Sequence, residues 1–202
     1  MSQRFTVLIR SPQLFLLALL IFPSQAWSFA IEGGGIANVS KASNSNTTRS
    51  YTSDGYLGVG AGVLVEGKPW LALSMLDTEV GLLYYQREVG YGTLGTQTSN
   101  WLEIPVLERF RFLGFSIGAG LYMARGIGSL KAQSGGGTTS YSYADANIRD
   151  FDFGWVGALS YTLPIFGLFA DLRYNGGLRN LSNIINDTYK FSDMQLLVGV
   201  RF

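Results

Sequence analysis

The chain of 202 residues contains no cysteine and no histidine. Without cysteine there is no disulfide framework. Without histidine the commonest general base and the commonest metal ligand are both missing. Long apolar runs are missing as well. The run at 14–22 (LFLLALLIF) is far shorter than the roughly 20 residues a membrane-spanning helix needs, and no later segment approaches 18. Charge of one sign is also lacking. With Arg4 and Arg10 set aside, the 15 basic residues fall to 13, facing 14 acidic ones. So even a balance argues against nucleic acid as a partner.

What is present begins with a targeting pattern. Arg4 and Arg10 precede the apolar run, Pro23 follows it, and small residues come next at 24 and 26 and at 28 and 30. That order is the pattern of a secretory signal peptide over residues 1–30, cut after Ala30 or Ala26, which leaves 31–202 as one exported domain. All 26 glycines lie beyond it, at about twice their usual frequency of around 7%. Hydrophobic residues make up 47% of the chain, yet they are dispersed in alternation with glycine and polar residues. Alternation of this kind specifies strands wetted on one face.

Eight such stretches are expected: 29–39, 56–66, 78–89, 100–111, 115–125, 150–162, 167–178 and 191–202. Most run a little over ten residues, the length of a tilted transmembrane strand. Their connections alternate. Long polar stretches at 40–55, 90–99, 126–149 and 179–190 follow the odd strands, and short turns at 112–114 and 163–166 follow the fourth and sixth. The connection 67–77 is longer than that scheme calls for. The Ser/Thr/Asn/Gly-rich stretches KASNSNTTRSYTSDG and SLKAQSGGGTTSYSY bury too little to order themselves and are expected to be mobile.

One register of these strands is apolar: Leu57, Val59, Val63 and Val65; Leu102, Ile104 and Val106; Ile117, Leu121 and Met123; Trp155 and Leu159; Leu168, Leu172 and Tyr174. The other carries Glu32, Glu79, Arg87, Glu103, Arg109, Asp152, Asp171, Arg173 and Arg201, with glycines 58, 60, 62, 118, 120 and 154. A soluble barrel would turn the apolar face inward, and a membrane barrel turns it to lipid. Glycine and opposed charges suit a narrow interior better than a wet exterior, where stronger strand formers serve. Aromatics near the strand ends fit two interfacial girdles: Trp70, Phe110, Phe112, Phe115, Tyr161, Phe166 and Phe202 at the turns, Trp101, Tyr91, Phe151, Tyr174 and Phe191 at the loops. The expected fold is all-β, an eight-stranded antiparallel up-and-down transmembrane β-barrel. Its lumen is expected to be filled by Tyr56, Tyr85, Tyr122, Leu64, Leu83 and the arginines, with the charges forming a structural network.

Met194, Leu196, Val198, Val200 and terminal Phe202 form an alternating ending. It resembles the assembly signal by which the barrel insertion machinery recognises bacterial outer-membrane proteins. WLEIPVLERFRF resembles the YLEIP strand of PorT-like outer-membrane barrels, with Trp101 in place of the usual Tyr, and DLRYNGGLRNL resembles a late segment of the same barrels. The size is similar to that of OmpA/OmpX-type eight-stranded barrels. The resemblance implies a Gram-negative outer membrane, with its lipid and the insertion machinery as partners.

Enzymatic outer-membrane barrels depend as families on an essential histidine, which is lacking here. No catalytic, cofactor or metal residues are assigned: the carboxylates fit charge neutralisation, and GGG at 33–35 and 135–137 lacks the Gly-Lys-Ser/Thr of a phosphate loop. Two functions stay open. One is a structural or surface-interaction barrel, taking an unknown surface ligand through loop 126–149. The other is a narrow channel or small-solute transporter of the porin type.

Overall fold

The computed structural model describes residues 30–46, 50–68, 76–163 and 166–202. Residues 1–29, where the signal peptide is expected, Trp70 and the middle of the connection 67–77 lie outside the described residues. Among the described residues ten strands follow one another: β1 (Ala30–Asn46), β2 (Ser50–Thr52), β3 (Asp54–Gly67), β4 (Leu76–Gly90), β5 (Thr96–Phe112), β6 (Phe115–Ser134), β7 (Gly137–Tyr141), β8 (Phe151–Thr162), β9 (Leu168–Gly177) and β10 (Asp187–Arg201). Eight of them pair antiparallel in the order β1-β3-β4-β5-β6-β8-β9-β10. Strand β10 then returns to β1, in register from Glu32↔Arg201 to Asn46↔Asp187, and the sheet closes on itself. Closure leaves no open edge in the ring. The two short strands β2 and β7 lie outside it, paired to β1 and β6.

Each of the eight alternating stretches is a ring strand, but several run further than the apolar alternation does. Strand β1 continues to Asn46, β5 starts at Thr96 and β6 reaches Ser134. Ladder hydrogen bonds are made by the main chain, so a strand can outrun its apolar pattern wherever both faces tolerate polar side chains. Much of the sequence expected as mobile loop is therefore sheet. The β6–β7 hairpin turns on Gly135 and Gly136, both at positive φ, as a two-residue hairpin of the favoured twist requires. At the opposite end, Leu113 and Gly114 also have positive φ and join β5 to β6.

Proline at 105 sits inside a ring strand, where it cannot donate to the ladder. The β4–β5 pairing passes from Val80↔Val106 to Leu83↔Glu103 around it. Gly81 lies opposite, and a Cβ there would come within 2.9 Å of the proline ring. The interruption is thus accommodated by the one residue type that leaves room.

The apolar register points outward along the whole ring. Leu57, Val59, Val63, Ile104, Ile117, Leu121, Trp155, Leu159, Leu172, Met194, Leu196 and Val198 are all exposed. The buried side chains lie inside the ring instead, among them Leu64, Leu83, Tyr85, Leu107, Tyr122 and the three arginines Arg87, Arg109 and Arg173. An apolar exterior round a charged interior is unstable in water and stable in lipid. A closed β-ring is also one of only two structures that satisfy all backbone polar groups there. The protein, refolded in detergent micelles, should migrate faster unheated than boiled and give a β-type circular dichroism spectrum. Identical migration of the two samples, with a helical spectrum, would contradict the closed ring.

Candidate functional site: the charged lumen and its lid

The lumen is built by inward residues that alternate with the lipid-facing ones. Residues 169, 171, 173 and 175 on β9 and 103, 105, 107 and 109 on β5 are buried, while the residues between them are exposed. Large inward side chains face glycines. A Cβ at Gly154 would meet the Tyr122 ring at 2.5 Å, and one at Gly118 would meet Arg109 Cγ at 2.8 Å. The glycines of the charged register make room for the side chains that fill the barrel.

Towards the turn end, four charges form a closed ring. Arg109 Nε lies 2.6 Å from Glu79 Oε2, and Arg109 Nη2 donates to Asp171 Oδ2 at 2.6 Å. Arg173 Nη2 donates to Glu79 Oε1 at 2.8 Å and to Asp171 Oδ2 at 2.7 Å. Each guanidinium therefore touches both carboxylates. Glu79 on β4 and Arg173 on β9 stand four places apart in a ring of eight strands, so this contact crosses the full lumen. Arg109 also donates to Ser116 and Ser160.

Below this ring, Arg201 reaches Glu32 and Glu66, and Arg111 reaches Glu66 and Asp77. Glu32, Glu66 and Glu79 place carboxylate oxygens within 4.8 Å of one another. Carboxylates that close could hold a hard cation, but the guanidinium groups of Arg109, Arg111 and Arg201 already stand among them. The donor set is that of an ion-pair cluster.

Nearer the loops, Arg87 Nη1 donates to Asp152 at 3.0 Å, and Nη2 donates to Asp193 at 2.6 Å. Tyr122 Oη donates to Asp152 at 3.1 Å. Between the two clusters, Glu103 accepts from Tyr85 Oη at 2.6 Å and from Asn175 Nδ2 at 2.9 Å. No guanidinium lies at ion-pair distance from Glu103 among the described residues.

An aromatic lid covers Arg87. Its guanidinium carbon lies 4.4 Å from the centre of the Trp101 ring and 4.8 Å from that of Phe191. Tyr143 meets Trp101 edge-on at 5.8 Å, and Tyr189 packs on Phe191 at 5.2 Å. Burial pushes the Tyr143 phenol up to about 12, so it stays protonated and donates to the Asn100 carbonyl.

The loops above are ordered by one another. Ile148 N donates to Tyr143 O, and Ile148 forms a bridge with Ser182. Arg149 N donates to Leu181 O, and Leu181 is fully buried. Residues 142–149 and 181–183, expected only as parts of the long polar connections 126–149 and 179–190, are thus held by non-local backbone bonds and a buried Leu, which replace the local order that the sequence lacks.

Glu32, Glu79, Arg87, Glu103, Arg109, Asp152, Asp171 and Arg173 all lie buried inside the ring, and Arg201 sits at its turn-side mouth. Met194, Leu196 and Val198 face outward. Three placements differ from expectation. Trp101 and Phe191 are inward lid residues and do not belong to the loop-side girdle, because each shares the register of a buried carboxylate, Glu103 or Asp193. Tyr56 is 42% exposed and does not fill the lumen. Its ring lies against Gly90, where β3 and β4 lose register between Gly55 and Gly60. Glu66, Arg111, Asn175 and Asp193 join the network although sequence reasoning did not single them out. Their register was the available signal.

The fold and this arrangement define an outer-membrane-type transmembrane β-barrel with a filled lumen. No protein-family model matches the chain, and no curated protein matches it significantly. Among solved structures it is similar to Ail, the attachment invasion locus protein of Yersinia pestis, at 12% identity over 86% of this chain and 99% of that one, with a TM-score of 0.46. It is similar to neisserial surface protein A at 14% identity, over 88% and 98% of the two chains, with a TM-score of 0.47. The N-terminal β-barrel domain of OprF from Pseudomonas aeruginosa shares 13% identity over 84% of this chain and 99% of that domain, with a TM-score of 0.42.

Removing one member of the charge ring should separate the two kinds of buried carboxylate. Arg109→Met leaves Glu79 and Asp171 each short of a partner and should cost about 3–5 kcal/mol. Glu103→Gln keeps an acceptor for Tyr85 and Asn175 and should cost clearly less. Urea unfolding of the two refolded variants, followed by tryptophan fluorescence, checks the order.

Proposed function

We propose that this protein is an integral barrel of a Gram-negative outer membrane, acting as a structural and surface-interaction element through its loop side and not as a pore. The observation that carries this reading is the closed ring Arg109–Glu79–Arg173–Asp171 across the lumen, under a lid of Trp101, Phe191 and Tyr143. Eight strands enclose an interior that side chains alone can fill, and these charges bond across it. The termini then lie on the periplasmic side with the short turns, and the long loops face outward.

The PorT-like affinity is part of the same proposal. Its two motifs are the segments that meet across the lumen: WLEIPVLERFRF supplies Glu103 and Arg109, which bond Asn175 and Asp171 of DLRYNGGLRNL. Outer-membrane lipid is the proposed environment of the exposed belt, and the insertion machinery the proposed reader of the C-terminal register. Phe202 is 82% exposed, and its backbone exchanges hydrogen bonds with Ile31. The network of buried charges is proposed to be structural, with no catalytic group.

The competing reading is a narrow channel or small-solute transporter. Planar-bilayer recording of the refolded protein discriminates. No conductance steps above the bare bilayer are expected, and stable ion-selective steps would favour the channel. Deletion of Phe202 should lower outer-membrane levels and leave the chain periplasmic or degraded, as fractionation and heat-shift analysis would reveal. Normal levels of the deletion variant would show the ending to be incidental.

A further inference from the structure

On the outer wall, where β6, β8 and β9 leave the apolar belt, three arginines line one cavity of about 820 Å³. Arg125 continues the outward register of Leu121 and Met123 on β6, and its side chain is 71% exposed. It stands opposite Phe151 on β8, and the guanidinium of Arg179 lies 5.0 Å from the centre of that ring. Arg149 is held by Asn183 Oδ1 at 3.0 Å and by the Asn180 carbonyl at 3.2 Å.

The charge on this wall is not neutralised. Asp150, 3.3 Å from Arg125, is the one carboxylate lining the cavity. Arg149 and Arg179 have no carboxylate at ion-pair distance among the described residues, and their partners are an amide, a carbonyl and a ring. Two of the three guanidinium groups therefore keep donors for an anion, in the planar geometry that suits phosphate oxygens.

The position narrows the anion. Arg125 stands two residues, roughly 7 Å along the strand, above lipid-facing Met123. Trp155 and Tyr174, 5.3 Å apart and outward-facing, lie below it on β8 and β9. Exposed Ile127 and Leu178 flank the arginines. Cations bordered by apolar side chains, directly above an aromatic girdle, occupy the headgroup level of the leaflet on the loop side.

We propose that Arg125, Arg149 and Arg179 form a binding site for a phosphorylated lipid headgroup of the outer leaflet. The site rests on the membrane orientation proposed above. Phosphates enter from the side of the bilayer and are held by the guanidinium groups, while the apolar flank of Ile127 and Leu178 stays in contact with the lipid.

The test uses the full refolded protein in neutral detergent micelles. The probes are a diphosphorylated glucosamine glycolipid, the same glycolipid with both phosphates removed, and inorganic pyrophosphate. Binding is read by native mass spectrometry and titration, with the heat-shift assay run on every variant. The double variant Arg149→Gln with Arg179→Gln should weaken binding of the diphosphorylated lipid by about tenfold or more. Removing the lipid phosphates should do the same to wild type, and Lys131→Gln, exposed on the hairpin elsewhere, should change nothing. If the double variant does not fold, Arg125→Gln carries the test, with the same direction of change. Equal binding by folded variants and wild type, or by the dephosphorylated lipid, overturns the site. Pyrophosphate binding as tightly as the glycolipid would also overturn it, by making this a site for a soluble anion. Failure of the barrel reading is distinct, because wild type would then show no heat shift.

Discussion

The structure depends on where its charges can go. An arginine or lysine on the outer face of a transmembrane barrel costs about 2–4 kcal/mol near the bilayer midplane, and a carboxylate somewhat less, so the charges inside the belt must turn inward and find partners there. The ring of Arg109, Glu79, Arg173 and Asp171 meets that demand with two cations and two anions in mutual contact. Such a cluster need not add stability over an apolar filling of the same volume. What it does supply is register. A slip of one residue in β9 would send Asp171 and Arg173 into lipid and Leu172 into the lumen, reversing every side chain on the strand.

The same constraint explains the glycines and the lid. Inward arginines and tyrosines are long, and an eight-stranded lumen is narrow, so the strands facing them must give up side chains, as Gly118 does for Arg109 and Gly154 for Tyr122. Arg87 lies near the loop end, where water would otherwise reach it. Trp101 and Phe191 stack against it, with Tyr143 and Tyr189 packed behind them. Ordered loops follow from that lid, since Tyr143 holds its place through the backbone bonds of 142–149 to 181–183.

The ring of strands was legible in the sequence because a side chain's face has period two and lipid punishes violations of it. Inward and outward faces could be separated from Leu57 to Val198 by parity alone. The partners could not. Whether Glu103 meets Arg173 or Asn175 across the lumen depends on the stagger between strands far apart in the chain, which no local pattern encodes. Trp101 and Phe191 show a different limit. Their parity pointed inward, but aromatics near strand ends also suit an interface, and only the loops packed above them decide between the two. Residues 142–149 read only as part of a long polar connection, because their order is supplied by another loop.

The chain has no native cysteine, so single nitroxide labels can be placed without background. The most direct measurement compares labels at Leu172 and Leu196, on the outer face of β9 and β10, with one at Thr139 on exposed β7, in protein reconstituted into lipid. Collisions with oxygen should dominate at Leu172 and Leu196, and collisions with a water-soluble nickel chelate at Thr139. Nickel access at Leu172 and Leu196 equal to that at Thr139, or shielding of both from either reagent, would contradict a barrel with charge inside and lipid outside.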